Sequence, residues 1–195
     1  MRKIFNCVST TPTEAYYLET NSLPLRFVII ARRLMYYWTI LAKPATELVQ
    51  QVFQTQKLSP VKNDWCLQIE DDLRYCKINL SESEIRAMKK IKFKSIVTSS
   101  IVEVAKQYLI SLKNKHKKSE GLSASDKIQD YLITSQLTTE EKQLLFQLRT
   151  RSYDCKANFR NLYNNQLACS ICGQEDNQSH LLSCTRTGLV QCPIQ

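Results

Sequence analysis

Residues 23–42 read LPLRFVIIARRLMYYWTILA and form the most apolar stretch of this 195-residue chain. The stretch is long enough to cross a bilayer, but Arg32 and Arg33 would then lie near the membrane centre, where each costs about 2.5–3.5 kcal/mol. Pro24 suits a first helical turn, and Pro44 cannot continue a helix. We therefore expect a helix that is buried in a protein core and does not span a membrane.

The composition predicts more helices around this one. The chain has three glycines and five prolines, and 43% of its residues are hydrophobic. Leu, Lys, Gln, Glu and Ile are common, and glycine and proline, which interrupt helices, are few. Three S/T-x-x-E sequences, in which a hydroxyl caps a helix and the glutamate reaches back, predict helix starts at Thr11, Ser81 and Thr138. The expected fold class is mainly α.

Two further segments have the spacing of amphipathic helices. In the first, apolar residues recur at three- and four-residue steps from Phe93 to Leu112, which predicts a helix that ends near Lys113. The second is residues 138–152. The predicted buried stripe of this second helix is Leu144, Leu145 and Leu148.

The positive charge is concentrated in the middle of the chain. The net charge is +9, and residues 81–118 hold ten Lys or Arg against three Asp or Glu. A concentrated basic surface attracts polyanions, chiefly RNA and DNA, because phosphate neutralisation releases counterions. A solvated lysine face that serves only solubility is the alternative. The candidate nucleic-acid ligands are Lys89, Lys90, Lys92, Lys94, Lys106, Lys113, Lys115, Lys117, Lys118, Arg149, Arg151, Lys156 and Arg160.

Near its C-terminal end the chain has a cluster with the spacing of metal ligands, CSICGQEDNQSHLLSC at 169–184. Gly173 permits the tight turn of a Cys-x-x-Cys knuckle, and His180 and Cys184 would lie one helical turn apart. Three thiolates and one imidazole favour a single structural Zn2+ and leave no ligand position for a reactive water. Unliganded cysteines are the alternative. The candidate zinc ligands are Cys169, Cys172, His180 and Cys184.

With this cluster, the expected architecture is an irregular multi-helix domain followed by a small CCHC zinc knuckle. The predicted division is a basic helical domain at 1–152, then a linker and the knuckle at 153–195. No secretory signal opens the sequence, so we expect reduced thiols and an intracellular location. Cys192 would be a zinc ligand only if Cys184 is not used, and His116 has no partner at ligand spacing.

No catalytic motif is recognisable in the sequence. Glu70, Asp71 and Asp72 lie inside a predicted helix, where three consecutive carboxylates point in different directions and are usually solvated. A Gly-rich phosphate loop and a nucleophile motif are also missing from the sequence. We therefore expect neither an enzyme nor a small-molecule substrate.

Five blocks of sequence follow one another in a recognisable order. They are SLPLRFVIIARRLMYYWTIL, QQVFQTQKLSPVKNDW, SEIRAMKKIKFKSIV, LLFQLRTRSYDCKANFRNLY, and CSIC with HLLSC. In this order the chain resembles the C-terminal region of non-LTR (LINE-type) retrotransposon reverse transcriptases. The resemblance implies a segment downstream of the polymerase domain, a CCHC zinc knuckle formed by the four ligands above, RNA and/or DNA as partners, and a nuclear location.

The resemblance also shows what this chain lacks. The family's Tyr-x-Asp-Asp polymerase centre and its endonuclease domain have no counterpart in the sequence. The leading hypothesis is therefore a noncatalytic nucleic-acid-binding tail. The alternatives are a protein–protein interaction module, in which the helix at Phe27–Trp38 docks on a missing polymerase domain, and an inactive remnant.

Overall fold

The structure of the chain is a computed structural model in which helices predominate. It describes residues 4–7, 11–58, 61, 64–116, 118–119, 121–125, 127–153, 155–164 and 166–184, and of residues 181 and 182 the backbone only. Within these residues the only β-pairing is a single bridge between Ala168 and Glu175. The mainly α prediction is confirmed.

The helices are short, with two exceptions that build the core. A 3-10 helix covers Lys156–Phe159. In chain order the α-helices are α1 (Thr13–Thr20), α2 (Leu25–Leu41), α3 (Leu48–Leu58), α4 (Trp65–Tyr75), α5 (Glu82–Ala87), α6 (Lys90–Lys113), α7 (Asp130–Ile133), α8 (Thr139–Arg149) and α9 (Gln178–Ser183).

Contacts divide the chain into two compact units. Leu23–Ile110 forms the central unit, and Met1–Ser22 together with Ser111–Gln195 forms the terminal unit. The predicted boundary between residues 152 and 153 falls inside the terminal unit and stays a prediction.

Helix α2 is the core helix of the central unit and contacts α3, α4 and α5. Its buried side chains are Phe27, Ile30, Leu34, Tyr37, Ile40 and Leu41. Helix α6 adds Phe93, Val97, Ile101, Val104 and Ala105 to the same core. The prediction that residues 23–42 form a core helix is confirmed. In the part of the chain that the structure describes, every helix is too short or too polar to cross a membrane.

An ion pair joins α2 to α4 inside the central unit. Arg33 Nε lies 2.9 Å from Asp72 Oδ2, and the side chain of Asp72 is 12% exposed. Burial raises the pKa of the Asp72 carboxyl, while Arg33 lowers it. The expectation that Glu70, Asp71 and Asp72 are all solvated is therefore wrong for Asp72, because α2 supplies a cation to its buried carboxylate.

Two of the three predicted helix starts are capping boxes. Ser81 accepts a hydrogen bond from the Glu84 N–H and caps α5. Thr138 accepts one from the Glu141 N–H and caps α8. In each box the glutamate carboxylate accepts the N–H of the capping residue in return. The S/T-x-x-E spacing therefore locates both starts correctly.

The third predicted start is displaced by one residue, and its predicted capping box is absent. Helix α1 begins at Thr13, Pro12 occupies its N-cap position, and no side chain caps it. Glu14, which would complete a box with Thr11, is buried and accepts a hydrogen bond from Ser119 Oγ at 3.0 Å. A distant hydroxyl therefore replaces the local one as the partner of this carboxylate.

Helix α8 buries Phe146 instead of the predicted leucines. The ring of Phe146 is fully buried and stacks on Phe5 at a centroid distance of 4.1 Å. Leu144 is 42% exposed, and Leu145 and Leu148 are half-buried. The predicted stripe is wrong because an aromatic contact with the N-terminal segment determines which face of the helix is covered.

Candidate metal centre

The four predicted metal ligands lie together in the terminal unit. Their ligand atoms are all within 4.8 Å of one another. Cys169 Sγ lies 3.8 Å from Cys184 Sγ, and Cys172 Sγ lies 3.3 Å from His180 Nε2. A tetrahedral zinc site with Zn–S of about 2.3 Å and Zn–N of about 2.0–2.1 Å has S–S and S–N edges of about 3.8 Å and about 3.6 Å. The four side chains are therefore close enough to hold one metal ion, and the distances are compatible with zinc.

A tight backbone turn presents Cys169 and Cys172. The Gly173 N–H donates to the Cys169 carbonyl at 2.9 Å, and the Cys169 N–H donates to the Gln174 carbonyl at 2.7 Å. Gly173 has a φ of +74°, in the left-handed region that glycine adopts without strain. The glycine therefore lets the chain reverse directly after the second cysteine.

Helix α9 presents His180 and Cys184. Asn177 Oδ1 accepts a hydrogen bond from the His180 N–H at 2.8 Å and caps the helix. The Cys184 N–H donates to the His180 carbonyl at 2.8 Å. The two ligands are thus one helical turn apart, as their four-residue spacing predicts.

The surroundings of the cluster favour metal-binding protonation states. The N–H groups of Ile171 and Cys172, together with His180, lower the pKa of the Cys169 thiol to about 6. A thiolate is the form of cysteine that binds metals. His180 Nε2 faces a cysteine sulfur, whereas its buried Nδ1 has no hydrogen-bond partner among the described residues. Because Nε2 is the nitrogen that faces the sulfur, it is the one placed to bind an ion at this cluster.

Residues 167–184, here called the knuckle, are attached to the rest of the terminal unit. Gln178 Nε2 donates to the Leu148 carbonyl at the end of α8 at 2.8 Å. The Ala157 N–H donates to the Asp176 carbonyl at 2.9 Å. Neither contact is predictable from the sequence, because each joins residues that are far apart along the chain. The knuckle is a packed part of its unit, so an ion held by the four side chains would be coupled to the folding of the neighbouring segments.

The predicted lysines of the central unit lie mainly at the start of α6. Lys89, Lys90, Lys92 and Lys94 are all exposed. Lys106 is half-buried and lies toward the other end of the helix, with no lysine between residues 94 and 106. The predicted lysine ligands of this unit therefore form a concentrated group at one end of α6 and not a continuous face along it.

Arg149, another predicted nucleic-acid ligand, is engaged inside the terminal unit. Its guanidinium makes a bidentate pair with Glu19 on α1, whose side chain is fully buried. The hydroxyl of Tyr131 donates to the same carboxylate at 2.7 Å, and burial and Glu19 raise the pKa of that hydroxyl. This geometry favours a structural role for Arg149.

The remaining basic candidates differ in their surroundings. Lys118, Arg151 and Arg160 line one cleft. Lys156 Nζ donates to the Ala168 carbonyl. Lys117 lies outside the described residues. Lys113 is half-buried and Lys115 is exposed.

Comparisons with known proteins leave the chain without an assigned family. No protein-family model matches it, and no curated protein or solved structure matches it either. The resemblance to retrotransposon reverse transcriptases therefore rests on the sequence blocks alone.

Proposed function

We propose that this chain is a noncatalytic nucleic-acid-binding module with one structural zinc ion. The observation that carries the proposal is the convergence of three thiols and an imidazole in a chain with a net charge of +9. Cys169, Cys172, His180 and Cys184 are the ligands, three through thiolate sulfur and one through Nε2. Four protein ligands leave no position for a reactive water, so the ion serves to hold the knuckle in its fold.

The exposed lysines at the start of α6 supply contacts to the RNA or DNA backbone. Four of them lie within residues 89–94, and the first turn of the helix has no acidic residue. Cations at a helix N-terminus interact unfavourably with the helix dipole. The lysines at the start of α6 therefore weaken the helix locally, and such local weakening is typical of functional sites. Lysines in this arrangement bind phosphates without reading bases.

The order of the sequence blocks supports a place for the module in a non-LTR retrotransposon reverse transcriptase. In such a protein the module follows the polymerase domain and contacts template RNA, target DNA or both, in the nucleus. The module itself performs no chemistry in this proposal. Its contribution is affinity for the nucleic acid.

Binding measured over a salt series tests the nucleic-acid role. The zinc-loaded chain is titrated into labelled single-stranded RNA and duplex DNA between about 50 and 200 mM salt. The test variant is Lys92→Gln with Lys94→Gln, and the matched control is Lys43→Gln with Lys77→Gln, two exposed lysines of the same unit. We expect steep salt dependence for the wild type and a slope on duplex DNA lower by about 2 for the test variant only. Weak binding that does not respond to salt would contradict the proposal.

A protein-binding role is the second candidate, and an exposed apolar row on α2 favours it. Leu25, Ile29 and Tyr36 are 67%, 49% and 53% exposed, and their spacing places them on one face of the helix. A polymerase domain docked on this row would cover it. Leu25→Gln with Ile29→Gln would then weaken association with that domain and leave RNA affinity unchanged. A loss of RNA affinity in this variant would speak against the docking role.

A further inference from the structure

Helix α6 has an exposed row of side chains opposite the core of the central unit. Its inner side is buried in that core. Four exposed residues lie on the other side at steps of four, three and four positions, which places them in one line along the helix. They are Ile91, Ser95, Thr98 and Val102, here called the outer face of α6. Ile91 is 85% exposed and Val102 is 45% exposed, so the outer face is open to a partner.

Two lysines flank the outer face, one on each side. Lys92 and Lys94 are two positions apart, so their side chains point about 200° apart around the helix axis, with the outer face between them. Both lysines are exposed. Cations on opposite sides of one helix match a ligand that has two separate rows of negative charge.

No acidic residue interrupts this part of the sequence. From Ile85 to Val102 there is no Asp or Glu, and the same interval has five Lys or Arg. Helix α3 gives a comparison, because it also lacks acidic residues. Its one basic residue, Lys57, is paired with Glu82. The lack of acidic residues is therefore shared by the two helices, and the surplus of cations distinguishes α6.

The shape of this surface fits the major groove of duplex DNA. An α-helix with its side chains is about 10–12 Å wide, and the groove is about 12 Å wide with one phosphate strand along each edge. The part of α6 from Lys90 to Val102 is about 18 Å long. Serine and threonine hydroxyls can bond to base edges in this groove, and apolar side chains can contact the thymine methyl group. The major groove of duplex RNA is too narrow to admit a helix.

We propose that the outer face of α6 binds in the major groove of duplex DNA. Lys92 and Lys94 contact phosphates of the two opposite strands. Ser95 and Thr98 lie against the base edges between those strands. The inference rests on the proposed nucleic-acid-binding function and adds to it the form of the ligand and the surface that binds it.

The first test compares three ligands with the zinc-loaded full chain. They are a mixed-sequence DNA duplex of about 20 base pairs, an RNA duplex of the same sequence, and the same DNA duplex with a bulky substituent at C5 of every cytosine, which fills the major groove. We expect the unmodified DNA duplex to bind at least about tenfold more tightly than either of the others. The phosphates of the substituted duplex are unchanged, so phosphate contacts alone would give equal affinity for both DNA duplexes.

The second test places a negative charge on the outer face. Val102→Glu is the test variant, and the matched control is Val52→Glu on α3, a valine of the same unit that is 48% exposed. Val102 is about 12 Å along the helix axis from Lys94, farther than the screening length of about 10 Å at about 0.1 M salt. The new carboxylate therefore leaves the lysine contacts in place.

We expect Val102→Glu to lower affinity for the DNA duplex about tenfold, because its carboxylate faces the phosphates across the groove. Val52→Glu should change this affinity less than about twofold. Neither valine belongs to the buried core, so both variants should unfold at the wild-type temperature. Thermal unfolding of both variants thus separates a loss of binding from a loss of folding.

Three outcomes would overturn the inference in different ways. A wild type that binds no nucleic acid removes the proposed function and the groove contact with it. A wild type that binds with steep salt dependence, but binds both DNA duplexes equally or is affected equally by the two valine substitutions, loses the groove contact and keeps the proposed function. Equal affinity for duplex RNA and duplex DNA removes the DNA assignment.

Discussion

The guanidinium of Arg149 donates two hydrogen bonds, of 2.9 and 3.0 Å, to the carboxylate of Glu19. The Glu19 side chain is fully buried, and a buried carboxylate is stable only when it is paired and hydrogen-bonded. The pair joins α8 to α1 across 130 positions of sequence. Arg149 therefore contributes to the stability of the terminal unit.

Removing the Arg149 charge should destabilise the protein strongly. Arg149→Met leaves Glu19 buried without its cation, and we expect a loss of about 3 kcal/mol in the free energy of unfolding, measured by urea denaturation. The control is Lys142→Met on the same helix, with an expected change below about 0.5 kcal/mol. Equal stability of the two variants would show that the pair contributes nothing.

The zinc content of the protein should depend on the four clustered side chains and not on cysteines outside the cluster. Purified wild type should contain one zinc per chain, and Cys169→Ser should lose it, because three ligands hold the ion far less tightly than four. Elemental analysis by mass spectrometry measures this directly. Cys7→Ser, a half-buried cysteine outside the cluster, should keep its zinc. Unchanged zinc in Cys169→Ser would remove the ligand assignment.

The Cys169 pKa of about 6 predicts a thiolate at neutral pH in the metal-free chain. Thiolate absorbance at about 240 nm should rise with a midpoint near pH 6 in the wild type, and this step should be absent in Cys169→Ser. The folded pKa is below the unfolded value of about 8.5, so the metal-free fold gains stability as pH rises between these values and loses it as pH falls toward 6. Zinc affinity should weaken as pH falls through 6, since protons then compete for this sulfur. A first thiolate step near pH 8.5 would contradict the assignment.

Valine substitution should change the stability of the protein differently at two threonines that share the S/T-x-x-E motif, Thr138 and Thr11. Thr138→Val removes the hydroxyl that caps α8 and should cost about 1 kcal/mol. Thr11→Val should change stability by less than about 0.5 kcal/mol, because its buried hydroxyl makes no hydrogen bond in the described part of the chain. Thermal unfolding of both variants checks this. Similar losses would mean that Thr11 caps α1 in solution.

Truncations on α8 test which face is buried. Phe146→Ala should cost about 3–5 kcal/mol, because it opens a cavity between the rings of Phe5 and Tyr16. Leu144→Ala removes a side chain that is 42% exposed and should cost less than about 1 kcal/mol. Urea denaturation measures the free energy of unfolding of both variants. A larger decrease for Leu144→Ala than for Phe146→Ala would show that the leucines form the buried face of α8.

Features that depend on neighbours in sequence were predictable. The Cys169 to Cys184 spacing predicts a cluster, because one glycine turn and one helical turn are enough to bring the four ligands together. Ser81 and Thr138 predict helix starts for the same reason, since the capping glutamate is three residues away. Residues 23–42 predict a core helix from their hydrophobicity and the cost of placing arginines in lipid.

Features that depend on residues far away in the sequence could not be predicted. The sequence predicts a solvated carboxylate at Asp72, whereas in the structure Asp72 is paired with Arg33. It predicts a capping role for Glu14, whereas Glu14 accepts a hydrogen bond from Ser119. Arg149 has the charge and position of a phosphate ligand, and only its pairing with Glu19 favours a structural role for it. Arg151 gives no sign in the sequence that its backbone is left-handed.

By itself, the sequence determined the helical class of this protein and which four side chains come close enough together to hold a metal ion, because helix periodicity and ligand spacing are local properties of the chain. Only the tertiary structure decided which charges are available to a ligand and which are used within the fold. The physical reason is that the energy of a charged side chain depends on its burial and on the opposite charge beside it, and residues far apart in sequence supply both.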